Sequence, residues 1–266
     1  MNVSAVETSA QRVWELAEVE RSAYEAEHTT DDSLRADPRN LARYLNPPRD
    51  TAFPLEYAFS LLGNISGQTV VDFGCGSGEN TLPLLRRGAH VVAVDLSPHL
   101  LRVAQRRLSL NGERGRAQFV VGSAHDLPVA SGSADVVLGI AILHHLDLAA
   151  AAREVHRVLR PGGRAIFQEP VRDSTLIKSL RAMVPYRAPD VSPFERPLTS
   201  RELAEFSSRF SSCSLRAFSL PFVNLTQVVP ALQSKVHAAY RLDRAILARV
   251  PALAHYAGVR VLELTK

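Results

Sequence analysis

The stretch Val70-Val71-Asp72-Phe73-Gly74-Cys75-Gly76-Ser77-Gly78 constrains this chain more than any other. A short apolar run reads as a strand that delivers an acid, and three glycines at alternate positions follow it. Glycine has no Cβ, so the backbone there can turn tightly and come close to a ligand. The first amides of the helix beyond lack partners within that helix and favour an anionic or electron-rich group. Seventeen residues past Gly78, the next strand ends at Asp95. An acid at that place in a βαβ unit can accept hydrogen bonds from two ribose hydroxyls. The spacing also discriminates between nucleotides. A dinucleotide fingerprint has its third glycine three residues after its second, and here Glu79 stands in that position. A carboxylate is a poor neighbour for pyrophosphate. It is better tolerated beside a ligand that lacks phosphate and carries a cationic amine.

Strands and helices alternate around this motif. Thr69–Phe73, 90–94, 118–121, 135–140 and 164–167 read as strands. Helices fall over 79–87, over Pro98–Leu110 with Ser97 as N-cap and Pro98 at the first helical position, and over 148–159, which stops at Pro161-Gly162-Gly163. Nearly continuous apolar strands alternating with helices predict a parallel sheet covered on both faces, an α/β doubly wound core. Upstream, 11–28 reads as a helix whose partly apolar face is Val13, Trp14, Leu16, Ala17, Glu20 and Tyr24, and 54–62 as a shorter one. Past Pro170 the alternation lapses, with Pro185, Pro189, Pro193 and Pro197 breaking any regular element. Thr199 and Glu202 form a capping-box pattern that opens a helix to about Ser208. A strand over 214–220, two or three amphipathic helices over 224–256 and a last strand over 259–264 complete the reading.

Composition narrows the class. Apolar residues make up 46% and charged residues 22% of 266, which is ordinary globular usage and excludes a disordered or collagen-like chain. The net charge of +4 is thin and spread along the sequence, so nucleic acid is not an expected partner. Arginine outnumbers lysine 28 to 3, which we read as codon bias. Two distant cysteines, Cys75 and Cys213, suit a reducing compartment and match no metal-ligand spacing, so no metal is expected. No apolar run approaches the roughly 18 residues of a membrane span, and the first residues lack a secretory pattern. A cytoplasmic protein is expected.

Four stretches, VVDFGCGSGENT, VVAVDLSPHLL, VVGSAHDLPVASGSADVVLGIAILHHL and EVHRVLRPGGRAIFQEP, carry a resemblance. From about residue 69 to 169 the chain resembles the class I S-adenosylmethionine-dependent methyltransferases, of the bacterial small-molecule group often called type 11. The resemblance implies a seven-stranded, mostly parallel Rossmann-like sheet with helical caps, whose antiparallel seventh strand 259–264 could supply. It implies S-adenosyl-L-methionine as cofactor and S-adenosyl-L-homocysteine as product. By position, Asp72 and the loop Gly74, Cys75, Gly76 and Gly78 would hold the methionine end. Asp95 would bind the ribose, Leu96 would pack on the adenine, and Ile140 with Ala141 would border the methionine moiety. Where the family usually has Asp-Ala, its Asp meeting the adenine amine, this chain has Ser123-Ala124. The expected division is a helical cap over 1–66, a cofactor-binding core over 67–170, a lid insertion over 171–199, and 200–266 rejoining the core with a helical insertion over 221–258.

Methyl transfer from a sulfonium is an in-line displacement, so the protein chiefly positions the reactants and excludes water. A hydroxyl acceptor also needs a base. His144 and His145 follow the fourth strand at the carboxyl edge of the sheet, where ligands bind in open α/β folds, and Glu169 ends the fifth strand on the same edge. These three are the catalytic candidates. Each has a bland alternative: helix capping for the histidines, pairing with an arginine for the glutamate. Tyr24, His28, Tyr186 and Arg187 could line a lid. The expected activity is methylation of an oxygen or nitrogen of a small organic molecule, such as a secondary metabolite. Competing readings are a cofactor-binding protein without methyl transfer, use of the cofactor for another reaction, a nicotinamide oxidoreductase and a nucleic-acid methylase.

Overall fold

Why the strands of this chain carry apolar residues at nearly every position is plain from their surroundings. The computed structural model describes residues 3–113, 115–174 and 196–266. Their strands are β1 (Thr69–Phe73), β2 (His90–Asp95), β3 (Ala117–Val121), β4 (Ala134–Ile140), β5 (Leu159–Pro170), β6 (Ser212–Phe218) and β7 (Val259–Thr265). They form one seven-stranded sheet in the order β3-β2-β1-β4-β5-β7-β6. Pairing is parallel from β3 through β5, and β7 runs antiparallel between β5 and β6. The final strand is therefore the antiparallel one that the sequence pattern anticipates.

Helices precede, separate and follow the strands: α1 (Val3–His28), α2 (Asp31–Leu34), α3 (Pro38–Leu45), α4 (Pro54–Leu61), α5 (Thr81–Arg86), α6 (Pro98–Leu110), α7 (Leu148–Val158), α8 (Ser200–Ser207), α9 (Pro221–Val228) and α10 (Val236–Arg249). Adjacent strand residues face opposite sides, so one strand feeds two cores. Val70, Val136 and Ile166 pack with α4, α5 and α6 through Phe59, Leu85 and Leu101. Val71, Phe73, Val137 and Phe167 pack with α7 and α8 through Val155 and Phe206. Phe167 meets Phe73 and Phe206 edge-on, with ring centroids 5.9 and 5.3 Å away.

Three local signals are realised in detail. The Ser97 hydroxyl accepts from the Leu100 amide at the start of α6. Thr199 and Glu202 close a reciprocal capping box on α8. Pro161-Gly162-Gly163 ends α7's segment, but as a bulge inside β5: Leu159 pairs with Ala134, and the register resumes at Arg164 opposite Val136. One boundary moves. The α5 helix begins at Thr81 rather than 79, because the Gly78 amide donates to the Cys75 carbonyl (2.9 Å) and closes a separate turn first. Of the lid insertion expected over 171–199, residues 175–195, with Tyr186 and Arg187, lie outside the described residues.

Candidate active site

The chain order of the strands reverses between β1 and β4, which opens a crevice beyond their carboxyl ends. The glycine turn sits there. Gly74, Gly76 and Gly78 all have positive φ (73°, 52° and 80°), which explains their alternate spacing in the sequence. A Cβ on Gly78 would lie 2.8 Å from the Ala104 Cβ, so this glycine lets the turn rest against α6. A Cβ on Gly76 would meet no protein atom within 4 Å. Gly76 instead borders a cavity of about 200 Å³.

The amides of this turn bond within the protein. Those of Gly74 and Cys75 both donate to the Val94 carbonyl (2.9 and 3.0 Å), and that of Gly76 donates to Asp95 Oδ2 (2.8 Å). The other Asp95 oxygen accepts from the Ser97 amide at 2.8 Å. Asp95 is thus held by two backbone donors at the mouth of the turn. Burial raises its pKa, the two amides oppose that rise, and the negative charge of Glu18 on α1 adds to it.

The cavity wall draws on six elements or their ends: Phe73, Gly74 and Gly76 at the end of β1, Asp95 and Leu96 at the end of β2, Leu100 from α6, Ser123 and Ala124 after β3, Ile142 and His145 after β4, and Glu15, Glu18 and Arg21 from α1. Of the residues expected to hold a cofactor, Gly74, Gly76, Asp95, Leu96, Ser123 and Ala124 lie on this wall. Asp72, Cys75, Gly78 and Ile140 do not. Asp72 is 2% exposed and accepts from the Thr81 hydroxyl (2.6 Å), which ties β1 to α5 beneath the turn. Burial pushes its pKa up to about 7. Cys75 is buried in the core on the α5 face, and burial pushes its thiol pKa up. Ile140 packs against that same core, and the chain beyond it supplies Ala141 and Ile142 to the wall instead.

The catalytic candidates separate likewise. Glu169 is fully buried, and its Oε1 accepts from the Ile142 and Leu143 amides at 2.9 and 2.8 Å. Its Oε2 lies 2.9 Å from His144 Nδ1. The expected arginine partner of Glu169 is therefore a histidine. Ala141, at φ 54°, bends the chain out of β4 so that these amides turn toward the carboxylate. The short 3-10 turn Leu143–His145 is anchored in this way, with His145 brought onto the cavity wall. The two imidazoles stack with centroids 4.1 Å apart.

The α1 helix departs most from expectation. Leu16 and Tyr24, assigned to its inward face, are each 66% exposed. Glu15, Glu18 and Ser22 face the cavity instead. Tyr24 and His28 stack on each other at 4.0 Å, away from that wall. Spacing by three and four residues links the inward set, but an apolar-face search passes over it because every member is polar.

Comparison with known proteins is informative at this point. Residues 71–167 match the methyltransferase domain family. This stretch is similar to a methyltransferase domain. It contains the glycine turn, Asp95, Ser123 and the His144-His145 turn. Over 115 residues the chain is 33% identical to an O-methyltransferase of Aspergillus nomiae, covering 42% of this chain and 51% of that protein. The likeness therefore spans about half the length of that curated relative. The chain also aligns in three dimensions with solved structures. A geranyl diphosphate C-methyltransferase from Streptomyces coelicolor superposes with TM-score 0.54 at 17% identity, over 87% of this chain and 98% of that one. The cyclase SpnF superposes with the same TM-score at 21% identity, over 76% of each chain. At such identities the likeness concerns the fold.

Proposed function

We propose that this protein transfers a methyl group from S-adenosylmethionine to an oxygen or nitrogen of a small organic molecule, releasing S-adenosylhomocysteine. The observation that carries this reading is Asp95, a half-buried carboxylate held by the Gly76 and Ser97 amides on the wall of a cavity at the sheet's switch point. The residues present suit such a nucleoside. Asp95 offers acceptors to a ribose diol, Leu96, Leu100 and Leu127 offer apolar walls for a base, and Gly76 leaves space that a side chain would fill. The turn amides of Gly74, Cys75, Gly76 and Gly78 are internally bonded rather than turned to a phosphate.

When bound, the cofactor supplies an activated methyl electrophile. The chain's own contribution is to hold and enclose. Asp95 fixes the nucleoside, and α1 covers the cavity and excludes water. His145, beside Ala141 and Ile142 on the wall, is placed to accept the proton of an acceptor hydroxyl. Glu169 and His144 act one step back, as positioning residues that hold the turn bearing His145.

Calorimetry with S-adenosylhomocysteine, paired with transfer of a labelled methyl group to metabolite extracts, tests the reading. Wild type should bind and label a small molecule, and Asp95→Ala should lose at least a hundredfold in affinity with the fold intact. His145→Ala should keep affinity while turnover of a hydroxyl acceptor falls ten- to a thousandfold. Unchanged binding by Asp95→Ala would refute the assigned ribose contact. Binding without label in any extract would refute methyl transfer.

A further inference from the structure

Helices in water-soluble proteins turn apolar residues inward and polar ones outward. The α1 helix does the reverse where it crosses the cavity: Glu15, Glu18, Arg21 and Ser22 line it, while Leu16 and Tyr24 are exposed. Arg21 pairs with Glu18, whose negative charge acts on the half-buried Asp95. With Glu18 matched by Arg21, Glu15 is the carboxylate that this polar face offers to a ligand that donates hydrogen bonds.

Glu15 is built into place. The Ser123 hydroxyl donates to Glu15 Oε1 at 2.8 Å. The His125 ring approaches the same oxygen, with Nδ1 at 3.6 Å. His125 Nε2 accepts from the Asp147 amide (3.0 Å), so in the neutral ring the proton resides on Nδ1 and faces Glu15 and Ser123. The Ser123 hydroxyl thus steadies a carboxylate supplied by a separate helix, with the His125 ring beside it. The Glu15 side chain is 21% exposed and lines the cavity. Leu96, Leu100, Ala124 and Leu127 line the same cavity and offer apolar surface to a ring.

Resting on the cofactor reading above, we infer that Glu15, held by Ser123 beside His125, is the group that recognises the exocyclic amine of the adenine. Specificity for the base is then supplied by the N-terminal helix rather than by the loop after β3, where this chain has a serine. Base recognition and closure of α1 become one event: the helix docks fully when an amine-bearing ring occupies the cavity.

Two ligands that differ only at that edge separate the possibilities. S-adenosylhomocysteine carries the amine, and S-inosylhomocysteine carries a carbonyl in its place. Calorimetry on wild type should show the adenosyl compound binding at least thirtyfold more tightly. Glu15→Ala should bind it ten- to a hundredfold more weakly while changing affinity for the inosyl compound less than threefold, so that the preference collapses. Glu15→Gln keeps an acceptor for Ser123 and can donate to a carbonyl, so α1 stays docked and the preference narrows or inverts. Asp95→Ala should weaken both ligands alike. If Glu15→Ala and Glu15→Gln keep the wild-type preference, the assignment of Glu15 is overturned while the cofactor reading stands. If wild type binds neither compound, the cofactor reading itself falls.

Discussion

Among single residues, Asp72 has a place just before the glycine turn that implies a ligand contact. In the fold it is 2% exposed and bound to the Thr81 hydroxyl beneath the turn. Burial moves its pKa from 3.8 up to about 7. The folded protein therefore holds the Asp72 proton more tightly than the unfolded chain does. This contribution to stability is complete below about pH 4 and is lost as pH rises through 7. Asp72→Asn keeps the acceptor for Thr81 and removes the charge. Urea unfolding of the two proteins from pH 5 to 8 should show the variant gaining on wild type as pH rises, by roughly 2–4 kcal/mol at pH 8. A constant difference across that range would show that Asp72 titrates as an exposed acid would.

At the scale of elements, the junction where β7 enters the sheet depends on a polar knot. Arg260, 3% exposed, donates to the Ala254 carbonyl (2.6 Å) and lies 3.3 Å from Asp173. Asp173 also accepts from the amide and hydroxyl of Ser200 at 2.6 Å each, at the N-terminus of α8. One carboxylate thus joins the chain after β5, the start of α8 and the edge of β7. Removing a partner from a buried ion pair costs more than the pair contributes, because the remaining charge stays desolvated. Asp173→Ala should therefore destabilise the protein by roughly 2–5 kcal/mol, with Asp173→Asn milder, as read from urea midpoints at constant slope. None of this is visible in the sequence, where positions 173, 200 and 260 have no periodic relation. What is visible there is each element's own chemistry. Ser97 before Pro98, Thr199 before Glu202 and the apolar runs of β1 and β4 declare themselves locally, since propensity and capping act over a turn or two.

The whole molecule has a sheet whose strands could be anticipated and a cavity whose roof could not. Apolar strands alternating with capped helices suffice to place β1 to β5, because burial on both faces demands that pattern. Asp95 and Ser123 could be placed because one ends and the other follows a strand whose position is known. The Glu169–His144 pair needs the three-dimensional bend at Ala141, and the polar inward face of α1 runs against the rule that apolar residues mark the inside. A ligand in this cavity touches residues from Glu15 to Leu146, so it ties the first helix to the sheet across more than a hundred positions of sequence. Such a ligand binds the folded state alone and stabilises it by about 2.7 kcal/mol at a hundred times its dissociation constant. For a chain of this size that corresponds to a rise of roughly 5–10 °C in unfolding temperature. S-adenosylhomocysteine should produce this shift in wild type and leave Asp95→Ala unmoved. Hydrogen exchange should slow in α1 on binding while remaining unchanged in α10, which packs on α9 and β6 away from the cavity wall. Equal slowing in both helices would mean that the ligand tightens the fold globally, and that α1 is no distinct cover.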